Sequence, residues 1–267
     1  MRESTKSLVY VLLGLFVISC SSSSDSDETN NNPPSLPTAI NKDAQPDLSF
    51  FIDNQPKVQS TTIADTSNYY YARNSVLGFS SFYTFGSVYS DFLQAANQQD
   101  ATFTDGEWQW SYMYSYGNET AEILLTSREV ADGWEWALYL TYDDGQGNSY
   151  ENYKVMEGTV SEDGLQGTWT FNSLNPETNQ EVKAFDNSWM VTSDDEKVFS
   201  VKAYAEDGSV DFSADYIQNS SDYDLTYMFS DSNDWQVLWN TDSNIGSVDD
   251  GTEIRCWDEN FVNAPCS

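Results

Sequence analysis

The sequence contains no histidine among its 267 residues. Histidine is the commonest general base near neutral pH, a member of the Ser-His-Asp and Cys-His nucleophile systems, and a frequent transition-metal ligand. Glycine-rich phosphate loops, a GxSxG nucleophile elbow and spaced metal-ligand motifs are also missing from the sequence. These absences exclude the enzyme classes that depend on such groups.

Basic residues are scarce. Lysine and arginine together number 11 against 43 aspartates and glutamates, which gives a formal net charge of −32. A field of this sign repels nucleic acid and anionic lipid, so we expect no nucleic-acid partner. The acids are scattered through turns and alternate strand positions, a distribution typical of a solvated surface.

Cysteines number only three, and the first ends an N-terminal apolar run. Arg2 and Lys6 precede an uncharged core, residues 8–18, that is too short to span a bilayer. Ser19-Cys20 after this core resembles the lipobox of bacterial lipoproteins, whose cysteine is acylated and becomes the first mature residue. The resemblance implies a signal peptide over residues 1–19 and a membrane anchor at Cys20. The alternatives are an ordinary signal peptide with an incidental cysteine and an uncleaved anchor.

Residues 20–48 are rich in serine, asparagine and proline and carry little to bury, so we expect a disordered acidic tether. Serine rather than aspartate follows Cys20, a pattern that implies sorting to the outer membrane. Serines running into Asp25, Asp27 and Glu28 resemble the export tag of surface lipoproteins in the Bacteroidota. This resemblance implies a protein that faces the cell exterior. A plain spacer on the periplasmic face is the alternative.

The remaining cysteines, Cys256 and Cys266, are an isolated pair near the C-terminus. In an exported protein such a pair predicts a disulfide that closes a terminal loop. Zinc binding by two lone thiols is a weaker alternative. We therefore expect no metal centre at these thiols.

Residues 49–267 contain no second linker and are predicted to form a single β-rich domain. Apolar residues at three- and four-residue spacing over about 67–99 predict one helical segment. From Glu107 onward the period changes to two, which predicts antiparallel strands with one buried face. The predicted strands cover 107–116, 121–130, 134–143, 149–160, 165–173, 181–191, 197–204, 209–217, 222–230 and 235–240, with a last piece near 253–257.

Turn signals such as Asp132-Gly133 and Asp163-Gly164 separate these runs at short intervals. Short loops force sequential strands to pair, which predicts an up-and-down meander of about ten strands. A sheet of this length curls into a barrel or half-barrel, with the helical segment packed on or in it. The architecture resembles lipocalin-like barrels and the half-barrels of lipoprotein carriers. No motif of either family is present, so no ligand residues follow from the resemblance.

The aromatic side chains are the groups most suited to hold a ligand. Their ring faces and polar tips suit a glycan or an amphiphile. The alternative is that the rings fill a wide core against the helix. The candidate ligand-binding residues are Trp108, Trp110, Tyr112, Trp134, Trp136 and Trp169.

Acidic clusters in turns offer a weaker alternative, a structural calcium site, although none has the spacing of a calcium loop. Two carboxylates also suffice for glycoside hydrolysis without histidine. Three functions therefore stay open: a noncatalytic binding or accessory lipoprotein for a glycan or amphiphile, a carboxylate-based polysaccharide hydrolase, and a structural envelope lipoprotein. The first is favoured because aromatic positions are abundant in a domain that follows a long tether.

Replacement of Cys20 by alanine tests the anchor. We expect Cys20→Ala to abolish metabolic labelling with a palmitate analogue and to release the chain from the membrane fraction, because acylation needs the thiol. Labelling retained in the variant would contradict the anchor. A Ser21→Ala variant, which keeps the thiol, is the matched control and should label normally.

Overall fold

The computed structural model describes residues 32–37, 44–55, 66–85, 93, 96, 100–116, 119–143, 145–146, 149–175, 178 and 180–266. The predicted signal peptide, Cys20 and most of the predicted tether lie outside these residues. Residues Pro34–Ser267 form one compact unit. The fold below is that of this unit.

Two helices precede the sheet, α1 (Ser49–Asp53) and α2 (Ser67–Phe85). Helix α2 confirms the first part of the helical segment predicted from the sequence. Leu93 and Ala96 are also helical, and the residues between Phe85 and Leu93 lie outside the described part. Neither helix in the described residues is long and apolar enough to cross a membrane.

Fourteen antiparallel strands form one sheet in which spatial order follows sequence order. The predicted meander is confirmed, and three strands shorter than five residues were not predicted because they are too short to show a period of two. The strands are β1 (Thr102–Thr104), β2 (Glu107–Tyr116), β3 (Glu119–Val130), β4 (Gly133–Asp143), β5 (Ser149–Val160), β6 (Gln166–Leu174), β7 (Glu181–Ser193), β8 (Glu196–Tyr204), β9 (Val210–Asn219), β10 (Asp222–Phe229), β11 (Trp235–Asn240), β12 (Gly246–Asp249), β13 (Ile254–Trp257) and β14 (Asn263–Ala264).

The sheet is open. Among the described strands, β1 pairs only with β2 and β14 only with β13, so the two ends do not meet. The meander is thus of the curled half-barrel type, and the closed-barrel alternative does not apply to the strands described.

Strand register places the large side chains on one face, which we call the inner face. Successive Cα partners make a row across ten neighbouring strands, and large rings in this row alternate with small residues over its first five strands. The row consists of Trp108, Ser127, Trp136, Gly158, Trp169, Asn187, Val201, Ala214, Tyr227 and Trp235. A second row beside it is apolar throughout: Trp110, Leu125, Leu138, Met156, Phe171, Phe185, Ala203, Phe212 and Phe229.

The two helices cover the C-terminal half of the inner face. The ring of Phe51 in α1 lies 5.1 Å from that of Trp239, centroid to centroid, and 6.3 Å from that of Trp257. In α2, the ring of Phe79 lies 6.0 Å from that of Phe199. Edge-to-face packing of this kind adds to the free energy gained by burying the rings.

The folded part begins before α1. Ala44 and Leu48 are buried, and the backbone N–H of Asp47 donates a hydrogen bond of 3.0 Å to the hydroxyl of Tyr216. The domain therefore extends N-terminal to the boundary expected at residue 49. The sequence hid this extension because the segment before Leu48 is polar and proline-containing.

A disulfide joins Cys256 in β13 to Cys266, with the Cα atoms 5.3 Å apart. The pairing predicted from the sequence is confirmed. The bridge closes the loop that carries β14, at the end of the sheet where α2 packs. The side-chain amide of Asn68 in α2 also donates a hydrogen bond of 2.8 Å to the backbone oxygen of Cys256.

A substitution at Gly158, in the inner-face row, tests whether the alternation of large and small residues is needed for packing. A Cβ atom at this position would lie 1.9 Å from the backbone oxygen of Thr168 and 2.6 Å from the ring of Trp169. We expect Gly158→Ala to lower the free energy of unfolding by about 2 kcal/mol, as overpacking does. Gly78→Ala in α2 is the control, since a Cβ there meets nothing within 4 Å and should raise stability by about 1 kcal/mol. Equal stability of the two variants in urea denaturation would contradict the packing described.

Candidate functional site

The structure stacks two of the candidate tryptophans and buries a third. Trp110 and Trp136 stack at 5.8 Å with an interplanar angle of 28°, two strands apart on the inner face. Both are buried, as is Trp169, whose ring lies against Gly158. These three side chains form core in the structure. Any role in ligand binding stays a prediction.

The other three candidates are partly exposed and do not converge on one site. Trp108 contacts the ring of Phe103 at 5.1 Å, near the β1 edge of the sheet. Tyr112 is half-buried, and burial raises its pKa to about 12. Trp134 lines a groove of about 870 Å³ between the β3–β4 and β5–β6 hairpins, here called the hairpin-tip groove, together with Asp132, Gln166 and other residues of the two turns. Trp169 also borders a groove, with a volume of about 290 Å³.

A different groove combines the features of a ligand site most completely. It has a volume of about 640 Å³ and lies between α2 and the ends of strands β8–β11. We call it the helix–sheet groove. The described residues that line it are Asn74, Ser75, Gly78, Ala203, Asp211, Phe212, Tyr227, Phe229, Asp231 and Trp235.

The aromatic wall of the helix–sheet groove is built by three neighbouring strands. Phe212 in β9 lies 5.2 Å from Phe229 and 6.0 Å from Tyr227, both in β10, ring centroid to ring centroid. Tyr227 and Phe229 are almost parallel, at 11°. Because residues i and i+2 of a strand share a face, the alternation in β10 places both rings on the groove side.

The helical wall is made of small residues. Asn74, Ser75 and Gly78 face the groove on a helix that is otherwise rich in aromatic and aliphatic residues. Gly78 has no atom within 4 Å of the position a Cβ would take. The groove therefore exists because this side of α2 does not fill the space that the aromatic wall leaves.

Tyr227 joins the two walls. Its hydroxyl donates a hydrogen bond of 2.6 Å to the backbone oxygen of Ser75 in α2. Burial raises the pKa of this hydroxyl group above its ordinary value, so the group stays protonated and keeps its donor role. The bond fixes the distance between α2 and β10 at the floor of the groove.

Trp235 is held at the other end of the groove by a layered contact. Its ring lies 5.3 Å from that of Tyr71 in α2. Arg255 stacks on the same tyrosine, with the guanidinium carbon 4.8 Å from the ring centroid. Arg255 in turn pairs with Asp250 at 2.7 Å. Trp235 is thus oriented by a fixed neighbour and keeps part of its surface toward the groove.

The rim of the groove carries hydrogen-bond acceptors. Asp211 and Asp231 are exposed, and Asn74 is exposed opposite them. The hydroxyl of Ser230 donates a hydrogen bond of 3.1 Å to Asp211, which holds that carboxylate at the rim. Carboxylate oxygens accept hydrogen bonds from hydroxyl or amine groups and repel anions. The rim therefore favours neutral or cationic, hydroxyl-bearing ligands.

Four carboxyl groups elsewhere have a pKa clearly below the ordinary range: Asp163, Asp186, Asp207 and Asp250. In three of them the first cause is a hydrogen bond donated by a neighbouring hydroxyl group, which favours the charged form. At Asp186 such bonds outweigh the opposing effect of burial. A glycosidase general acid needs a raised pKa, so these four groups are unsuited to that role.

Metal ligands do not cluster in the described part of the chain: no three histidine, cysteine, aspartate or glutamate residues lie close enough there to hold an ion. The acidic turns that were candidates for a structural calcium site lie around Asp143, Asp194, Asp231 and Asp249. They do not form such a cluster among the described residues.

Comparison with known proteins adds no relative: no family model, no curated protein and no solved structure matches the chain.

Sequence reasoning missed the helix–sheet groove as a site. Tyr227, Phe229 and Phe212 are visible in the sequence as strand positions, and Trp235 as one of nine tryptophans. The available signal was the run of small residues at 74, 75 and 78 inside an aromatic helix, which marks where the helix leaves space. Their partners on the sheet could not be identified without the tertiary structure.

The hydrogen bond from Tyr227 to Ser75 can be tested by removing one oxygen atom. We expect Tyr227→Phe to lower the free energy of unfolding by about 1 kcal/mol, because it deletes a buried hydrogen bond between the helix and the sheet. Tyr223→Phe is the matched control, since Tyr223 is buried on the same strand and its hydroxyl makes no hydrogen bond in the described structure. Thermal or urea unfolding measures both. An equal effect of the two substitutions would contradict the anchoring role.

Proposed function

We propose that the protein is a lipid-anchored lipoprotein of the outer membrane, displayed on the cell surface, that binds a glycan without catalysis in the helix–sheet groove. The observation that carries the proposal is the groove itself. Its volume lies within the range of about 300–1,000 Å³ that small-molecule sites occupy. It combines four aromatic rings with an acidic, hydrogen-bonding rim.

The aromatic wall supplies apolar ring faces against which the C–H faces of a sugar can pack. The rim supplies acceptors, Asp211 and Asp231, for the hydroxyl groups at the edge of such a ring. An amphiphile with a hydroxyl-bearing head shares part of this chemistry. The glycan is favoured because both acceptors are carboxylates at the rim, where an acyl chain would bury their charge.

The net charge of the chain limits the ligand further. At −32 the protein repels anionic polymers, and the two rim carboxylates add to that field at the groove. A neutral or amine-bearing glycan is therefore the proposed class of ligand. Uronate-rich or sulfated glycans are disfavoured.

The anchor proposal comes from the sequence. Cys20 and the acidic, serine-rich residues 21–28 that follow it lie outside the described residues, and their pattern supports attachment to the outer membrane. A tether of this composition would hold the domain away from the bilayer. Such an arrangement suits capture of a ligand outside the cell.

Isothermal titration with neutral, amine-bearing and anionic oligosaccharides tests the proposed site. We expect Trp235→Ala to weaken binding of a neutral or amine-bearing glycan by about 30-fold, which is the loss expected on truncating an aromatic hot spot. Trp134→Ala in the hairpin-tip groove is the matched control and should bind normally. Both variants should keep the circular dichroism of the unaltered protein.

Four outcomes would contradict the proposal. If no glycan of the panel bound, the proposed binding function would be wrong. If only a fatty-acyl amphiphile bound, the proposed ligand class would be wrong. Loss of binding in Trp134→Ala with normal binding in Trp235→Ala would move the site to the hairpin-tip groove. Cleavage of the glycan during the titration would show that the protein is a hydrolase and does not only bind.

A further inference from the structure

One edge of the sheet is covered over only part of its length. Strand β1 pairs with residues 107–109 of β2 and goes no further. On its other side β2 pairs with β3 from Trp108 to Tyr116. Among the strands of the described residues, none lies beside residues 110–116 on the β1 side. In the described part of the chain, the backbone of this stretch therefore forms the edge of the sheet.

This edge lacks the features that usually protect a strand edge. Exposed edges carry charged residues, proline or bulges that prevent pairing with another chain. Residues 110–116 contain no charge and no proline, in a chain that has 43 acidic residues. Met113 is 71% exposed and Tyr114 is 61% exposed. An apolar, uncharged edge is suited to pairing with another strand.

The sequence of the edge identifies the strand it fits. Residues 111–115 read Ser-Tyr-Met-Tyr-Ser, the same in both directions. Two antiparallel copies of such a segment centred on Met113 place tyrosine opposite tyrosine and serine opposite serine, and aromatic and hydroxyl pairs across strands are stabilising. We propose that β2 pairs with β2 of a second copy of this chain, about a twofold axis that passes beside Met113.

In this register Met113 lies opposite the partner's Met113, Tyr112 opposite the partner's Tyr114, and Ser111 opposite the partner's Ser115. Directly opposed residues of an antiparallel pair project from the same face, so the two methionines meet on the outer face and the tyrosines meet on the inner face. Strand β1 and the partner strand occupy successive parts of one edge, because β1 ends its pairing at Gln109. The two sheets become continuous.

The acidic charge of the chain does not prevent this contact. Within one copy, Met113 pairs with Glu122 of the neighbouring strand β3. In the paired dimer the two copies of this glutamate are three strand spacings apart, about 14 Å. That separation exceeds the screening length of about 8 Å at physiological ionic strength. Self-association should therefore strengthen as salt is added, since salt weakens the repulsion between two acidic domains.

A cysteine at the twofold axis tests the register. Met113→Cys is placed in the full chain with Cys20→Ala, which removes the other thiol outside the native disulfide. Opposed Cα atoms lie about 4.5–5.5 Å apart, within the range that a disulfide spans. Under mild oxidation we expect the chain to shift to twice its mass in a non-reducing gel. Ile217→Cys is the matched control, because Ile217 is 43% exposed on a strand with neighbours on both sides, and this variant should stay monomeric.

Met113→Cys that stays monomeric, or Ile217→Cys that dimerises to the same extent, overturns the proposal. Sedimentation equilibrium without oxidation gives a second test. The chain with Cys20→Ala should shift toward dimer as sodium chloride rises, and addition of Met113→Lys should return it to monomer, whereas addition of Ile217→Lys should not. A chain that is monomeric at every protein and salt concentration also overturns the proposal.

Discussion

The register of the strands is the constraint on which the rest of the structure depends. Each pair of neighbouring strands is aligned so that inner-face residues meet inner-face residues from Trp108 in β2 to Trp235 in β11. A slip of one residue at any hairpin would turn every side chain beyond it to the opposite face. Close contacts resist such a slip, because Trp169 lies against Gly158 and Trp189 lies against Gly167, positions where no Cβ would fit. The tryptophans therefore fix the register as well as fill the core.

The aromatic inner face explains why the helices pack on the sheet. An open sheet with a continuous aromatic face needs a cover, and α1 and α2 provide it over the C-terminal strands through Phe51 and Phe79. Two polar links hold α2 in place. The side chain of Asn68, near the start of the helix, donates to the backbone oxygen of Cys256, and the hydroxyl of Tyr227 donates to the backbone oxygen of Ser75, near its middle. Around Ser75 the helix presents small residues, and the helix–sheet groove results. The groove is thus a consequence of how α2 packs on the sheet.

The sequence sufficed for strands β2 to β11 because these strands are long and alternate clearly. The bounds predicted for 107–116, 149–160 and 235–240 match β2, β5 and β11, and short Asp-Gly turns determined the order of pairing. Strand β1 and strand β14 escaped prediction because three and two residues show no period. Helix α1 escaped for the same reason, with five residues. Local pattern predicts long elements, while short ones are stabilised by contacts that only the folded chain makes.

The groove could not be predicted for a different reason. Its helical wall, residues 74–78, and its aromatic wall, residues 203–235, are separated by more than 120 positions in the sequence. The sequence marks Trp110, Trp136 and Trp169 as strongly as it marks Trp235, and the pattern of alternation is the same for all of them. The space beside Trp235 stays open because the side of α2 that faces it carries small residues, and that depends on where α2 packs. Composition therefore indicates an aromatic inner face, while the position of the cover decides which rings remain open to a ligand.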